Sequence, residues 1–238
     1  MIRFYAPSLP DSLTLPESDS GHAVRVLRLK EGDAIEAVDG RGMLYKCVIT
    51  DAHPKHTGVH IESSVEVVKE WPQHITLAIA PTKNNDRMEW LVEKLVEIGI
   101  DRIVPLRCMR SERKDINVDR LERVAVAAMK QSLKAVLPEI QPTRTFKQFI
   151  AECSSAQRFI AYCDSAFERR LMAHEYHPYN DTSILIGPEG DFAPEEISTA
   201  LSSGWTPVSL GETRLRTETA ALVAVETCHV LDQLFPFD

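Results

Sequence analysis

The sequence has no C-x-x-C pair, and its five cysteines, Cys47, Cys108, Cys153, Cys163 and Cys228, are odd in number and widely spaced. That excludes a disulfide framework and a paired-cysteine zinc site. No apolar run approaches the roughly 20 residues that a bilayer-spanning helix needs. Met1-Ile-Arg-Phe-Tyr-Ala-Pro7 has no apolar segment of the signal-peptide kind. A reducing cytoplasm without membrane association is the expected setting. There is no G-x-x-x-x-G-K-[ST] segment and no G-x-G-x-x-G after a strand-like run. A P-loop nucleotidase and a conventional dinucleotide site are therefore disfavoured. His53, His56 and His60 have no cysteine or acid arranged with them as a closed ligand set, so no metal is expected.

Positive charge is scarce overall, with a formal net charge of −8 over 238 residues, which at first discourages a nucleic-acid partner. The distribution matters more. Residues 101–134 hold nine basic and five acidic side chains, so this window carries +4 and the remainder −12. The window is either a landing strip for a polyanion or a solvated helix face laced with ion pairs.

Pattern changes near Trp71-Pro72. Before it, Ala34-Ile-Glu-Ala-Val38 and Met43-Leu-Tyr-Lys-Cys-Val-Ile49 flank Asp39-Gly-Arg-Gly42, which predicts a hairpin because glycine tolerates the positive φ of a tight turn. Val59-His-Ile61 and Val65-Glu-Val-Val68 predict two further strands, and His22 to Leu29 a short helix with Arg25 and Arg28 on one face. Residues 1–71 thus read as a small β-barrel. Residues 72–238 alternate strand and helix, which implies a mostly parallel sheet covered on both sides, an α/β fold. Ile75 to Ala80 is a continuous apolar run suited to a buried strand. Met88, Leu91, Val92, Leu95 and Val96 form the apolar stripe of a helix closed by Gly99. Ile103–Leu106, Arg158–Tyr162, Ser183–Ile186 and Pro207–Leu210 read as strands. Asn117 or Asp119 can cap a helix carrying Leu121, Val124, Ala125 and Ala128, and 145–153 is helical. Residues 164–181 have little periodicity and read as irregular.

Two segments have the shape of a site, and each begins where an apolar strand ends. One is Ile186-Gly-Pro-Glu-Gly-Asp-Phe192, in which Gly187 and Gly190 let a ligand approach bare backbone. Pro194 then suits the first turn of a helix whose Glu195 and Glu196 complement its positive end. The other is Leu210-Gly-Glu-Thr-Arg-Leu-Arg-Thr-Glu-Thr-Ala220. Ligands of open parallel sheets bind at the carboxyl ends of strands, so the two turns outline one pocket. Its acids are awkward for a triphosphate and tolerable for a cation such as a sulfonium.

Gly187-Pro-Glu-Gly190 followed by the 210–220 segment resembles the cofactor loops of the SPOUT superfamily, and more narrowly the ribosomal RNA small subunit methyltransferase E family. His22-Ala-Val-Arg-Val-Leu-Arg28, Val38-Asp-Gly40, Glu93-Lys-Leu-Val-Glu-Ile-Gly99, Ser111-Glu-Arg113, Gln131-Ser132 and Pro138-Glu-Ile140 match in the family's order. Gln is more usual in the family where Glu93 stands, and Glu-Gln-Ser where Met129-Lys-Gln-Ser132 stands. The resemblance implies a PUA-like β-barrel joined to an α/β domain with a C-terminal trefoil knot. It also implies a homodimer that uses S-adenosyl-L-methionine to methylate N3 of a uridine in 16S ribosomal RNA of the small ribosomal subunit. Carried onto this chain, the cofactor lies against Gly187, Pro188, Glu189, Gly190, Leu210, Gly211 and Leu215, with Ala80 and Pro81 nearby.

Transfer to uracil N3 expels a proton and spreads negative charge onto O2 and O4. Arg216 is the expected positive group beside those oxygens, Glu218 the expected proton acceptor, and Glu189 its reserve. Arg25, Arg28, Arg110, Arg113 and Lys114 are the expected phosphate contacts, which give salt-dependent affinity with little sequence discrimination. Two other functions fit the same residues: a non-catalytic dimeric RNA-binding protein of this fold, and a SPOUT methyltransferase acting on transfer RNA. An intact Leu215-Arg-Thr-Glu-Thr-Ala220 argues against the first. Through the resemblance, the barrel domain weighs toward ribosomal over transfer RNA.

Overall fold

The computed structural model describes residues 3–164 and 168–235. The chain forms two compact units, Met1–Glu70 with Val126–Leu137, and Trp71–Ala125 with Pro138–Asp238. Local pattern does not foresee the grouping of 126–137 with the first unit, because long-range bonds create it. Gly42 N–H donates to the Ala135 carbonyl (3.1 Å), Leu137 N–H to the Gly40 carbonyl (2.9 Å), and Lys130 Nζ lies 2.8 Å from Asp19 Oδ1.

In the first unit, β1 (Arg3–Tyr5), β2 (Ala34–Val38), β3 (Met43–Asp51) and β4 (Gly58–Glu66) form a four-stranded sheet in that order, and α1 spans Glu17–Gly21. Strand β1 runs parallel to β2, and the other pairs are antiparallel. Asp39 Oδ1 closes the predicted hairpin turn by accepting from Arg41 N–H (2.8 Å) and Met43 N–H (3.1 Å). The core gathers Phe4, Leu9, Ile35, Tyr45, Ile49 and Val59. Two sequence expectations differ here. Where two strands were expected after residue 58 there is one, β4, because β3 pairs along its length with a one-residue slip between Lys46 and Cys47. Residues 22–29 are not a helix with Arg25 and Arg28 on one face. His22–Val26 is a π-helical turn, with Leu27 N–H reaching back to the His22 carbonyl (3.0 Å), and Arg28 lies beyond it at φ +57°. That left-handed backbone breaks the helical spacing between the two arginines.

The second unit is built on β5 (Ile75–Ile79), β6 (Arg102–Arg107), β7 (Glu139–Ile140), β8 (Arg144–Thr145), β9 (Gln157–Ala161), β10 (Arg170–Leu171), β11 (Thr182–Ile186) and β12 (Thr206–Ser209). All pair in parallel, in the order β10-β12-β9-β11-β5-β6-β7, with β8 also on β6. Every residue of β5 and β11 is buried, as their continuous apolar runs require. Helices α2 (Asn85–Ile98), α3 (Val118–Gln131), α4 (Phe146–Glu152), α5 (Met172–Glu175), α6 (Pro194–Ser202) and α7 (Thr217–Leu234) follow in the chain.

Their ends have local causes. Asn84 caps α2 by accepting from Asp86 N–H (2.8 Å). Gly99 ends it at φ +120°, against the Trp71 ring. Asn117, not Asp119, caps α3, through Arg120 N–H (3.0 Å). Residues 164–181 are less irregular than their pattern, since β10 and α5 form there around the buried Met172. Both elements are too short for a period to register, and 165–167 lie outside the described residues. The central core packs Val104, Leu106, Phe146, Ile160, Leu185, Phe192 and Trp205. Among the described residues no helix is long and apolar enough to cross a membrane.

Candidate functional site

A cavity of about 930 Å³ opens in the second unit at the carboxyl ends of β9, β11 and β12, which lie side by side in the sheet. Its volume is that of a cofactor-sized ligand site. Both loops singled out by sequence line it, including Gly187, Pro188, Glu189, Gly190, Leu210, Gly211, Leu215 and Arg216. Tyr162, Cys163 and Asp164, after β9, complete the wall. Sequence reasoning missed them because only the sheet order sets β9 between β11 and β12. Ala80 and Pro81 are not in the wall. Both are buried, and Ala80 N–H donates to the Ile186 carbonyl (3.0 Å).

The first loop is shaped by close packing. A Cβ on Gly187 would meet the Phe192 ring at 3.1 Å and its amide at 3.2 Å, so any larger residue there would have to push Phe192 aside. Asp191, at φ +64°, accepts from Cys163 N–H through Oδ2 (2.8 Å) and so ties the β9 end to the β11 end. In the second loop Gly211 has φ +113°, a region that glycine alone enters readily.

Charged groups divide into free and tied. Arg214 and Arg216 are exposed and line the cavity, and their guanidinium groups have no hydrogen-bond or ionic partner among the described residues. Glu218 is only 6% exposed and does not line the cavity. Its Oε1 lies 3.7 Å from Arg87 Nε, and its Oε2 is buried without a hydrogen bond among the described residues. Arg87 does line the cavity, and the sequence reading missed it. Its signal was available only as a basic residue one turn into a helix that follows a buried strand.

Glu189 Oε1 accepts from Lys83 N–H (2.9 Å). The Lys83 ammonium has its pKa raised, chiefly by a hydrogen bond to Glu112 and that group's charge, and further by the charge of Glu189.

Of the expected RNA contacts, Arg110 donates to the Gly190 and Phe192 carbonyls (3.1 and 3.2 Å) and lines the cavity. Arg113 donates to the Lys83 carbonyl (2.9 Å), with its Nε buried and unpartnered among the described residues. Lys114 is exposed in the same loop. Arg25 and Arg28, in the first unit, are exposed and unpaired among the described residues. Among the described residues no three His, Cys, Asp or Glu side chains converge as metal ligands. Burial, and then the charge of Glu196, raise the Cys108 thiol well above its ordinary range, so it is an inert neighbour of the site.

A family model described as RNA methyltransferase domain matches residues 69–229, a span that contains the whole cavity wall. The chain belongs to the RNA methyltransferase domain family. A second model, RNA methyltransferase PUA domain, matches residues 15–58 of this methyltransferase. A solved probable rRNA-methyltransferase from Porphyromonas gingivalis is 47% identical, with 99% of this chain and 100% of that one aligned at a TM-score of 0.95. Ribosomal RNA small subunit methyltransferase E from Neisseria gonorrhoeae, solved bound to S-adenosyl methionine, is 26% identical over 98% of each chain at a TM-score of 0.81. The protein of the same name from Synechocystis is 28% identical over 92% of this chain and 73% of its own. The family read from the two loop motifs is thus upheld, and with it an α/β fold carrying an N-terminal PUA-like domain.

Proposed function

We propose that this RNA methyltransferase transfers the methyl group of S-adenosyl-L-methionine to N3 of a uridine in 16S ribosomal RNA. One observation carries the reading: three adjacent strand ends form a single cavity lined by the main chain at Gly187, Gly190 and Gly211 and by two arginines, Arg214 and Arg216, whose guanidinium groups have no partner among the described residues. Such a cofactor fits this donor set. Asp164, Asp191 and Glu212 offer negative charge to a sulfonium, Arg87 and Arg110 offer positive charge to a carboxylate, and Val208, Leu210 and Leu215 offer apolar surface to a purine. When bound, the sulfonium supplies an electrophilic methyl group.

The residues of the chain do the rest. Gly187 to Gly190 and Leu210, Gly211 and Leu215 hold the donor through main-chain atoms, and such positioning supplies much of the acceleration in transfer reactions. Arg216 stabilises the charge that develops on O2 and O4 of the uracil. Glu218, buried off the cavity wall, pairs with Arg87 at 3.7 Å and positions that guanidinium, and the N3 proton leaves to solvent. Arg25 and Arg28 of the PUA-like domain (residues 1–71) and Arg110, Arg113 and Lys114 of the catalytic domain (72–238) engage phosphates. A trefoil knot of the segment after β9 belongs to this reading, supported by the insertion of β11 between β9 and β5. So does a cytoplasmic homodimer, supported by exposed apolar side chains on α2 and α7: Trp90, Val230 and Leu234.

The deciding experiment is mass spectrometry of 16S ribosomal RNA from cells lacking the gene, before and after complementation. A methyluridine that disappears and returns is the expected result. Unchanged 16S RNA with an altered transfer RNA would move the substrate, and no altered RNA together with no calorimetric binding of S-adenosylmethionine at millimolar ligand would leave a non-catalytic binder.

A further inference from the structure

The loops after β5, β6 and β11 meet beside the cavity, and side-chain-to-main-chain hydrogen bonds join them in a closed ring. Glu189, in the loop after β11, accepts from Lys83 N–H in the loop after β5 (2.9 Å). The carbonyl of the same Lys83 accepts from Arg113 Nη2 in the loop after β6 (2.9 Å). Arg110 returns from that third loop to the first by donating to the carbonyls of Gly190 (3.1 Å) and Phe192 (3.2 Å). Met109 N–H reinforces the return by donating to Glu196 Oε1 (2.9 Å), a buried carboxylate whose other oxygen accepts from Ala193 N–H (3.0 Å). The Lys83 ammonium adds an ion pair to Glu112 (2.6 Å), again between the second and third loops.

Lys83 is therefore held through its amide, its carbonyl and its ammonium. The tie from its amide to the cofactor loop depends on one acceptor atom, Glu189 Oε1. From this ring we infer that Glu189 is a positioning residue, whose carboxylate fixes the loop after β5 against the cofactor loop, and not a carrier of the substrate proton. The inference rests on the proposed reaction and extends it. The acid of the Gly187-Pro-Glu-Gly190 motif is present for its acceptor oxygen, and Arg110 and Arg113 act first on the shape of the cavity.

The acceptor role and the proton-carrying role part at Glu189→Gln, because an amide keeps an oxygen for Lys83 N–H and cannot take up a proton at ordinary pH. Two measurements on the full chain test it. In cofactor-free protein, hydrogen exchange at the Lys83 amide is expected to be the same within about threefold in wild type and Glu189→Gln, and faster by about tenfold or more in Glu189→Ala. In methyl transfer, the dependence of kcat on pH from 6 to 9 is expected to keep its wild-type shape in Glu189→Gln, whatever its height, while Glu189→Ala raises KM for S-adenosylmethionine about tenfold. A Glu189→Gln profile that lost a titration present in the wild type, with Lys83 still protected, would overturn the inference in favour of proton transfer. Unchanged exchange in Glu189→Ala would overturn it too. If the wild type transferred no methyl group, the reaction alone would fall, since the exchange measurement reads the ring without cofactor.

Discussion

Arg87 Nε lies 3.7 Å from Glu218 Oε1, joining the first turn of α2 to the first turn of α7 at the edge of the cavity. The partners are unequally wet, with the arginine side chain 39% exposed and the glutamate side chain 8%. Removing the arginine strands a buried charge, whereas removing both partners strands nothing. Arg87→Ala is expected to lower the unfolding free energy by about 1–2 kcal/mol, below the range for fully buried pairs because the arginine is partly solvated. The double variant Arg87→Ala with Glu218→Ala should lose less than the two single losses added together. Urea unfolding of the four proteins measures this, and simple additivity would mean that the pair does not interact.

Gly99 and Gly211 both have strongly positive φ, but only one is crowded. A Cβ at Gly99 would sit 2.6 Å from the Trp71 ring, while at Gly211 nothing lies within 4 Å. Gly99→Ala therefore combines strain with overpacking, a loss of about 2–4 kcal/mol. Gly211→Ala carries strain alone, about 1–2 kcal/mol. Thermal or urea midpoints of the two variants should differ in that order, and equal losses would show that the Trp71 contact relaxes without cost.

The cysteines should react in a fixed order. Burial pushes the Cys47 thiol up to about 11, with the charge of Glu62 adding to it. Burial raises Cys108 and Cys228 further. Cys163 is exposed and lines the cavity. Alkylation at pH 8, read by peptide mass spectrometry, should label Cys163 first. Saturating S-adenosylmethionine should slow that labelling while leaving the slower sites unchanged. Labelling of Cys163 at the same rate with and without cofactor would put the ligand elsewhere.

Acid should act on stability through Glu89. Its carboxyl is held below its ordinary value chiefly by the hydrogen bonds from Arg120, at 2.5 and 2.8 Å. A carboxyl pKa lower in the folded than in the unfolded chain gives stabilisation that is complete above the unfolded value, about 4.3 for glutamate. It is lost as pH falls through the folded value. The urea midpoint of Glu89→Gln should therefore lie below wild type at pH 7, with the gap closing as pH drops below about 4. A gap that persisted undiminished at pH 3 would contradict the assignment.

Free and tied arginines should separate in RNA binding. Arg25→Ala and Arg28→Ala remove exposed cations with no ionic partner among the described residues, and each should reduce the slope of log affinity against log salt by about one. Arg110→Ala removes a group bonded to the Gly190 and Phe192 carbonyls and should weaken cofactor binding more than the salt slope. Fluorescence anisotropy with a 16S fragment and calorimetry with the cofactor measure the two arms.

Much of this protein is written locally. The apolar runs of β5 and β11, the stripe of α2, the caps at Asn84 and Thr145 and the turn glycines at 40, 42, 187 and 211 follow from periodicity and backbone sterics within a few residues. So do the two cofactor loops, since glycine and proline mark their turns wherever the strands end up. What pairs across the chain is not legible in that way. The β9 end joins the cavity only because β9 lies between β11 and β12. Arg87 meets Glu218 across 131 positions of sequence. Arg110 and Arg113, which look like free cations in a basic stretch, bond to carbonyls 80 and 30 residues away. A local pattern reports which face of an element is apolar, but not which element it meets. The partner of a charged side chain is fixed only when the sheet order and the loops decide what stands within about 3 Å of it.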